Sequence, residues 1–387
     1  MSRRAWWWLG VVVLLVILVV GGASLWRPTL APEPGPGSKR PLQIGAVLPQ
    51  NGPPAQIGAF QKKGIDLAVE QINGQGGIGG APLQVVYEDS QGDPTKGLSA
   101  LRKILAVSRV PAVFLSTSGV ASAALPDLGD KQVAGLLLAV SLPGITERSP
   151  WAFRCNLGSD DEARAMAAHL ASTPLRRIAV AYLDDEFGVG AEKVFQEEAR
   201  RRGIHVTGSE AYSKDGTDFR TLVEKLRRDR PDAWYVIGFV RSSVNLIQQL
   251  RELGVKAPVL GNMALSVPSF LEQGGEALEG ATFTATEFDP GSSRPQTKAF
   301  VDAYRQKYGE TPAFFAGFAY DATRLLALAM EKKGTSADEI RQGLAGIQGY
   351  EGVMGSLSVL PNRDIEFPTR VVRNERGTLV PVSSSSR

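Results

Sequence analysis

From Pro41 onward the chain alternates between two spacings of apolar residues. Short runs such as "LQIGAVLP", "PLQVVYED", "PAVFLST" and "VAGLLLAVS" read as buried strands. The stretches between them repeat on a helical period. In "IGAFQKKGIDLAVEQIN" the residues Ile65, Ala68, Val69 and Ile72 fall on one face, and "DPTKGLSALRKILAV" and "SGVASAALPDLGD" also read as helices. The order β-α-β-α-β-α-β predicts a mostly parallel sheet covered by helices on both faces.

A second round follows "SPWAFRCNLGSDDEARAMAAHLAS". The strands are "RRIAVAYLDD", "IHVTGSEAY", "DAWYVIGF" and "APVLGN", and the helices are "FGVGAEKVFQEEARRRG", "TDFRTLVEKLRRDRP" and "SSVNLIQQLRELG". In the middle helix Phe219, Leu222, Val223 and Leu226 share a face. Two sheets built alike imply two lobes. "SRPQTKAFVDAYRQKYGETPAFFAGFAYDATRLLALAMEKKG" then supplies two long helices with no sheet of their own, which are expected to cover the first lobe.

Gly74-Gln75-Gly76-Gly77-Ile78-Gly79 has the G-x-G-x-x-G form of a dinucleotide loop. That loop must follow a strand and open a helix, so that the helix N-terminus holds the pyrophosphate. Here the glycines follow a helix and lead into a strand, which predicts a helix stop and tight turn instead.

The first 41 residues stand apart from this pattern. Arg3 and Arg4 precede the uncharged "AWWWLGVVVLLVILVVGGASLW", and a Pro/Gly-rich tether follows, so residues 1–26 read as a signal peptide or membrane anchor and 27–41 as a linker. Gly21 and Ala23 could serve a signal peptidase, and the apolar run is also long enough to remain in a membrane; both alternatives stand. No Cys follows it, so a bacterial lipid anchor is not expected. Five bases and one acid lie in this leader, so the formal charge of +3 becomes −1 for residues 42–387. The basic balance belongs to the leader and gives no support to nucleic-acid binding.

Catalysis finds little to work with. The chain has one cysteine, Cys155, and two histidines, His169 and His205, far apart in sequence, so neither a metal site nor a Ser/His/Asp set is expected, and no G-x-S-x-G elbow occurs. Cys155 reads as a buried small side chain and His169 as a helix-surface residue. No cofactor is expected. A binding role is better supplied: Ser116, Thr117 and Ser118 end a strand with Gly119 starting the next helix, where free backbone N–H groups and hydroxyls suit a carboxylate. One of these serines would also serve as a helix cap.

The phrases "IGAVLPQNGPPAQIGAFQKKGIDLAVEQINGQGGIGG", "YEDSQGDPTKGLSALRKIL", "DGTDFRTLVEKLRRDRPDAWYVIG" and "FAGFAYDATRLLALAME" resemble the extracellular ligand-binding receptor family, the type I periplasmic binding proteins of the leucine/isoleucine/valine-binding kind. The resemblance covers the chain from Leu42 to its end. It implies an α/β clamshell of two doubly wound, Rossmann-like lobes joined by three hinge crossings, near Phe153–Leu157, Thr284–Phe288 and Gly355–Ser358. Residues 42–155 plus 287–355 would form one lobe and 156–286 plus 356–387 the other. The function implied is extracytoplasmic solute capture by lobe closure, with delivery to an ABC permease. The alternative is a membrane-anchored sensor or assembly factor built on the same clamshell, attached through an uncleaved N-terminal segment.

Along the resemblance, Ser118, the backbone of Ala139 and Ser141 fall where an α-carboxylate and part of an ammonium are held. Phe187 and Phe239 fall where amino-acid binders keep cleft aromatics. The acid expected just after "VLG" is replaced by Asn262-Met263, with Asp185, Glu186 and Glu287 as possible substitutes. The expected ligand is therefore a small carboxylate, either an amino acid or, by preference, an apolar or aromatic acid, because an ammonium buried without a carboxylate is costly. Phe187, Phe239 and Met263 would supply its apolar walls.

Overall fold

The computed structural model describes residues 39–382. The leader and tether before Lys39, with the readings placed on them, lie outside these residues. Among the described residues no helix is long and apolar enough to cross a membrane.

The first sheet holds β1 (Leu42–Leu48), β2 (Leu83–Asp89), β3 (Ala112–Ser116), β4 (Ala134–Leu138) and β5 (Ala152–Arg154), all parallel, in the order β2-β1-β3-β4-β5. Its early helices are α1 (Ala55–Gly74), α2 (Pro94–Val107) and α3 (Ser118–Lys131). The second sheet repeats the order as β7-β6-β8-β9-β10, formed by β6 (Arg177–Leu183), β7 (His205–Tyr212), β8 (Ala233–Ile237), β9 (Val259–Gly261) and β10 (Thr282–Thr286). Its helices are α4 (Ser159–Ala171), α5 (Glu186–Arg201), α6 (Arg220–Arg227), α7 (Arg241–Glu252) and α8 (Pro268–Gly274). This is the doubly wound α/β architecture expected. In such sheets ligands gather beyond the carboxyl ends of the strands, beside the point where the strand order reverses.

The glycine run is a turn between α1 and β2. Gly76, Gly77, Gly79 and Gly80 all have positive φ, and a Cβ on Gly77 would lie 2.2 Å from the Ala81 carbonyl oxygen. No helix opens on it.

After β10 the chain returns to the first lobe. α9 (Pro295–Tyr308), α10 (Phe314–Lys333) and α11 (Ala337–Ala345) follow, then a small hairpin of β11 (Tyr350–Gly352) and β12 (Gly355–Leu357). α10 lies against α1 so closely that a Cβ on Gly64 would sit 2.2 Å from the Ala316 carbonyl oxygen. The end of the chain then joins the second sheet as β13 (Thr369–Glu375), antiparallel to β10, and β14 (Thr378–Pro381).

Beyond the hairpin the chain stays in contact with the first lobe as far as Asp364. Val359 N–H donates to Ile347 O, and the buried Arg154 donates from Nη2 to Asp364 Oδ2 at 2.6 Å. A guanidinium buried at the end of β5 requires a carboxylate, and that requirement keeps residues through Asp364 beside the first sheet. Arg154 also lies 3.6 Å from Asp160, at the start of α4, so one side chain ties the two segments together.

Candidate ligand-binding site

β3 ends at Ser116, and the chain enters α3 through Thr117 at φ 73° and ψ 144°. Ala139, just after β4, is also at positive φ, 48°. Strained non-glycine backbone persists where the surrounding structure over-determines it, and it gathers at functional sites. Both residues line a cavity between the lobes, together with Ser118, Ser141, Asn156, Glu162, Phe187, Phe239, Met263 and Phe315. Seven of the eight residues named from sequence are thus brought together. Ser116 is the exception: it is fully buried just behind the cavity and is not part of its wall.

One end of the cavity is rich in unsatisfied polar groups. α3 starts without a side-chain cap, so the serines do not perform that duty. The Thr117, Ser118 and Asn156 side-chain oxygens are buried without hydrogen-bond partners, as is Ser116 Oγ behind them. Leaving such a group unpaired costs about 1–3 kcal/mol, so the hydroxyls at the start of α3 suit an anion able to accept from them and from helix N–H groups at once. Asn156 spends its donors on the protein, from Nδ2 to Ser141 Oγ at 2.8 Å and to Leu157 O at 2.9 Å, which leaves its acceptor Oδ1 without a donor.

The other walls are apolar. Phe187 and Phe239 meet edge to face, ring centroids 5.4 Å apart, and Ile57, Phe315, Met263 and Ala264 complete the enclosure from both lobes. Asn262 is turned away to the backbone, its Oδ1 accepting from Gly238 N–H at 2.9 Å.

A carboxylate nevertheless stands beside Met263. Glu162, on α4 and 3% exposed, accepts the Met263 N–H at 2.6 Å and the Thr284 hydroxyl, both on Oε2, and it lines the cavity. Burial pushes its carboxyl up to about 7, against the lowering effect of those two donors. Glu162 is thus an acid at the cavity that the sequence reading, with Asp185, Glu186 and Glu287 as its substitutes, did not name. None of Asp185, Glu186 and Glu287 lines the cavity; Asp185 caps α5 by accepting from Gly188 N–H at 2.8 Å. Glu162 was legible in principle, because extending the buried stripe of Ala163, Met166, Ala167 and Leu170 back one turn places it on the inward face of α4. Cys155 is 1% exposed, with burial raising its thiol well above the ordinary range, so it is no nucleophile.

The lobes are drawn tightly together. The cavity measures about 20 Å³, room for about one water, so any larger solute requires them to part.

The same fold recurs in known proteins. Residues 41–376 match the family described as "Periplasmic binding protein". The chain belongs to this family. It is 28% identical over 299 residues to the Leu/Ile/Val-binding protein BraC3 of Rhizobium johnstonii, covering 77% of this chain and 81% of that protein. It is 26% identical over 303 residues to the leucine-, isoleucine-, valine-, threonine- and alanine-binding protein of Pseudomonas aeruginosa, covering 77% and 80%. Among solved structures, the branched-chain amino acid transporter substrate-binding protein LivJ of Streptococcus pneumoniae, in complex with isoleucine, superposes with a TM-score of 0.81 at 25% identity, over 87% of this chain and 97% of that one. This periplasmic binding protein is thus an extracytoplasmic solute-binding protein rather than an enzyme. Such proteins bind small molecules and deliver them to a membrane permease.

Proposed function

We propose that the cavity captures an α-amino acid with an apolar side chain, which the protein carries to its ABC permease. Glu162 is the observation that carries this reading. A zwitterion needs an anion site, a cation site and an apolar wall. The hydroxyls of Thr117, Ser118 and Ser141 supply the first, Glu162 the second, and Phe187, Phe239, Met263 and Phe315 the third. The names of the relatives point the same way.

Calorimetric titration with leucine and its deaminated counterpart, 4-methyl-2-oxopentanoate, tests the assignment. Glu162→Gln is expected to weaken leucine by a hundredfold or more, since removing one partner of a buried ion pair typically costs about 3–5 kcal/mol, and to leave the oxo acid little changed. Ser118→Ala should weaken both alike by roughly 1.5–3 kcal/mol. Because an ammonium beside Glu162 favours its ionised form, leucine affinity should rise with pH towards about 7 and then level, with proton release below that point. Wild-type protein that binds the oxo acid as tightly as leucine would overturn the reading.

A second reading, a membrane-anchored sensor, is favoured by the length of the uncharged run Ala5–Trp26. N-terminal sequencing of the exported protein separates the two: a retained run means an anchor, a removed one a free carrier.

A further inference from the structure

Ser266 and Phe314, one step beyond the ligand cavity on each lobe, line a second and larger pocket of about 260 Å³. Leu271, Phe288, Val372 and Leu379 make most of its surface apolar, with Phe314 contributed by the first lobe and β13 and β14 by the second. Into this wall projects Arg370. It is half-buried, stands opposite Ala285 in the β10–β13 ladder, and its Nε–H is buried with no acceptor. The pocket's acid, Asp289, is exposed and accepts from Gly291 N–H at 2.8 Å rather than pairing with the guanidinium.

An aliphatic residue would fill this strand position without burying an unpaired donor, whose desolvation is uncompensated as it stands. A guanidinium presents a planar fork of donors that matches a carboxylate. The apolar walls around it match a hydrocarbon body.

We propose that this pocket is a second ligand site, for a monocarboxylate on an aliphatic or aromatic body, with Arg370 pairing the carboxylate. The site shares none of the main cavity's lining residues. Because its walls come from both lobes, its occupancy is linked to their relative position.

Octanoate is the probe, titrated by calorimetry into wild type, Arg370→Gln, Leu379→Trp and Ser118→Ala, with thermal melting of each variant as the check on folding. The expected result is saturable binding to wild type, weakened at least tenfold by Arg370→Gln and by Leu379→Trp, which fills the pocket from the edge strand, and unchanged by Ser118→Ala. Leu379→Trp carries the test alone if Arg370→Gln does not fold. No saturable binding to wild type at millimolar octanoate, undiminished binding by the folded pocket variants, or a loss in Ser118→Ala equal to that in Arg370→Gln would each overturn the proposal.

Discussion

Glu162 and Asp321 are buried carboxyls in different lobes, each held by donors on a neighbouring segment. Asp321, on α10, accepts from Val353 N–H at 2.9 Å and Met354 N–H at 2.8 Å, so it fixes the loop of the β11–β12 hairpin. Burial raises both acids to about 7. Each therefore keeps its proton in the folded chain over a range in which the unfolded chain, titrating near 4, has released it. Stability falls with pH wherever the folded state binds more protons, so these two residues destabilise the ligand-free fold progressively from about pH 4 to about pH 7, and no further above that. Asp89, Asp93 and Asp232 are lowered instead and act in the opposite sense, at the acid end. Thermal melting of ligand-free protein across this window should show the decline, and Glu162→Gln should flatten part of it; an identical slope in the variant would mean that Glu162 is already ionised. The serines of the site were legible because a strand end and a helix start can be read locally. Glu162 was obscured by Asp160 and Asp161 beside it, which look like an ordinary acidic helix start, and only its place on the apolar stripe sets it apart.

At the scale of elements, the contact of α1 with α10 depends on one missing side chain. Gly64→Ala would drive a methyl group against the Ala316 backbone, and overpacking of this kind costs about 1–3 kcal/mol. A lowered melting temperature is expected; an unchanged one would show that the helices can slide apart freely. The parallel strands and their helices could be read from periodicity because they are buried and regular. The C-terminal hairpin could not: in β13 only Val372 and Asn374 are buried, too few to make an alternating pattern. Its place is set by pairing with β10 and by Asn374, which donates from Nδ2 to Leu278 O at 2.8 Å. The Arg154–Asp364 pair is illegible for a similar reason, since it joins residues 210 positions apart.

Across the whole molecule, closure is reinforced at the rim as well as in the cavity. Ser122 on α3 donates to Glu186 Oε1 on α5 at 2.6 Å and accepts from Arg148 at 2.5 Å, while Gln56 on α1 donates to Ser269 on α8 at 2.5 Å. The Ser122–Glu186 and Gln56–Ser269 contacts exist only when the lobes meet, so they bias the equilibrium towards the closed form. Partly exposed links are worth at most about 1 kcal/mol, and Glu186→Ala should weaken the cavity ligand by roughly threefold to fivefold without touching it. Unchanged affinity would place the rim contacts outside the energetics of capture.

The narrowness of the cavity has a further consequence, in time. A solute cannot slip past walls that admit about one water, so the frequency with which the lobes part is a ceiling on both arrival and departure. Residence becomes a property of the hinge more than of the side chains that touch the cargo. A permease that grips the two lobes and holds them apart can therefore set the moment of release, by withdrawing one wall of the cavity from the cargo.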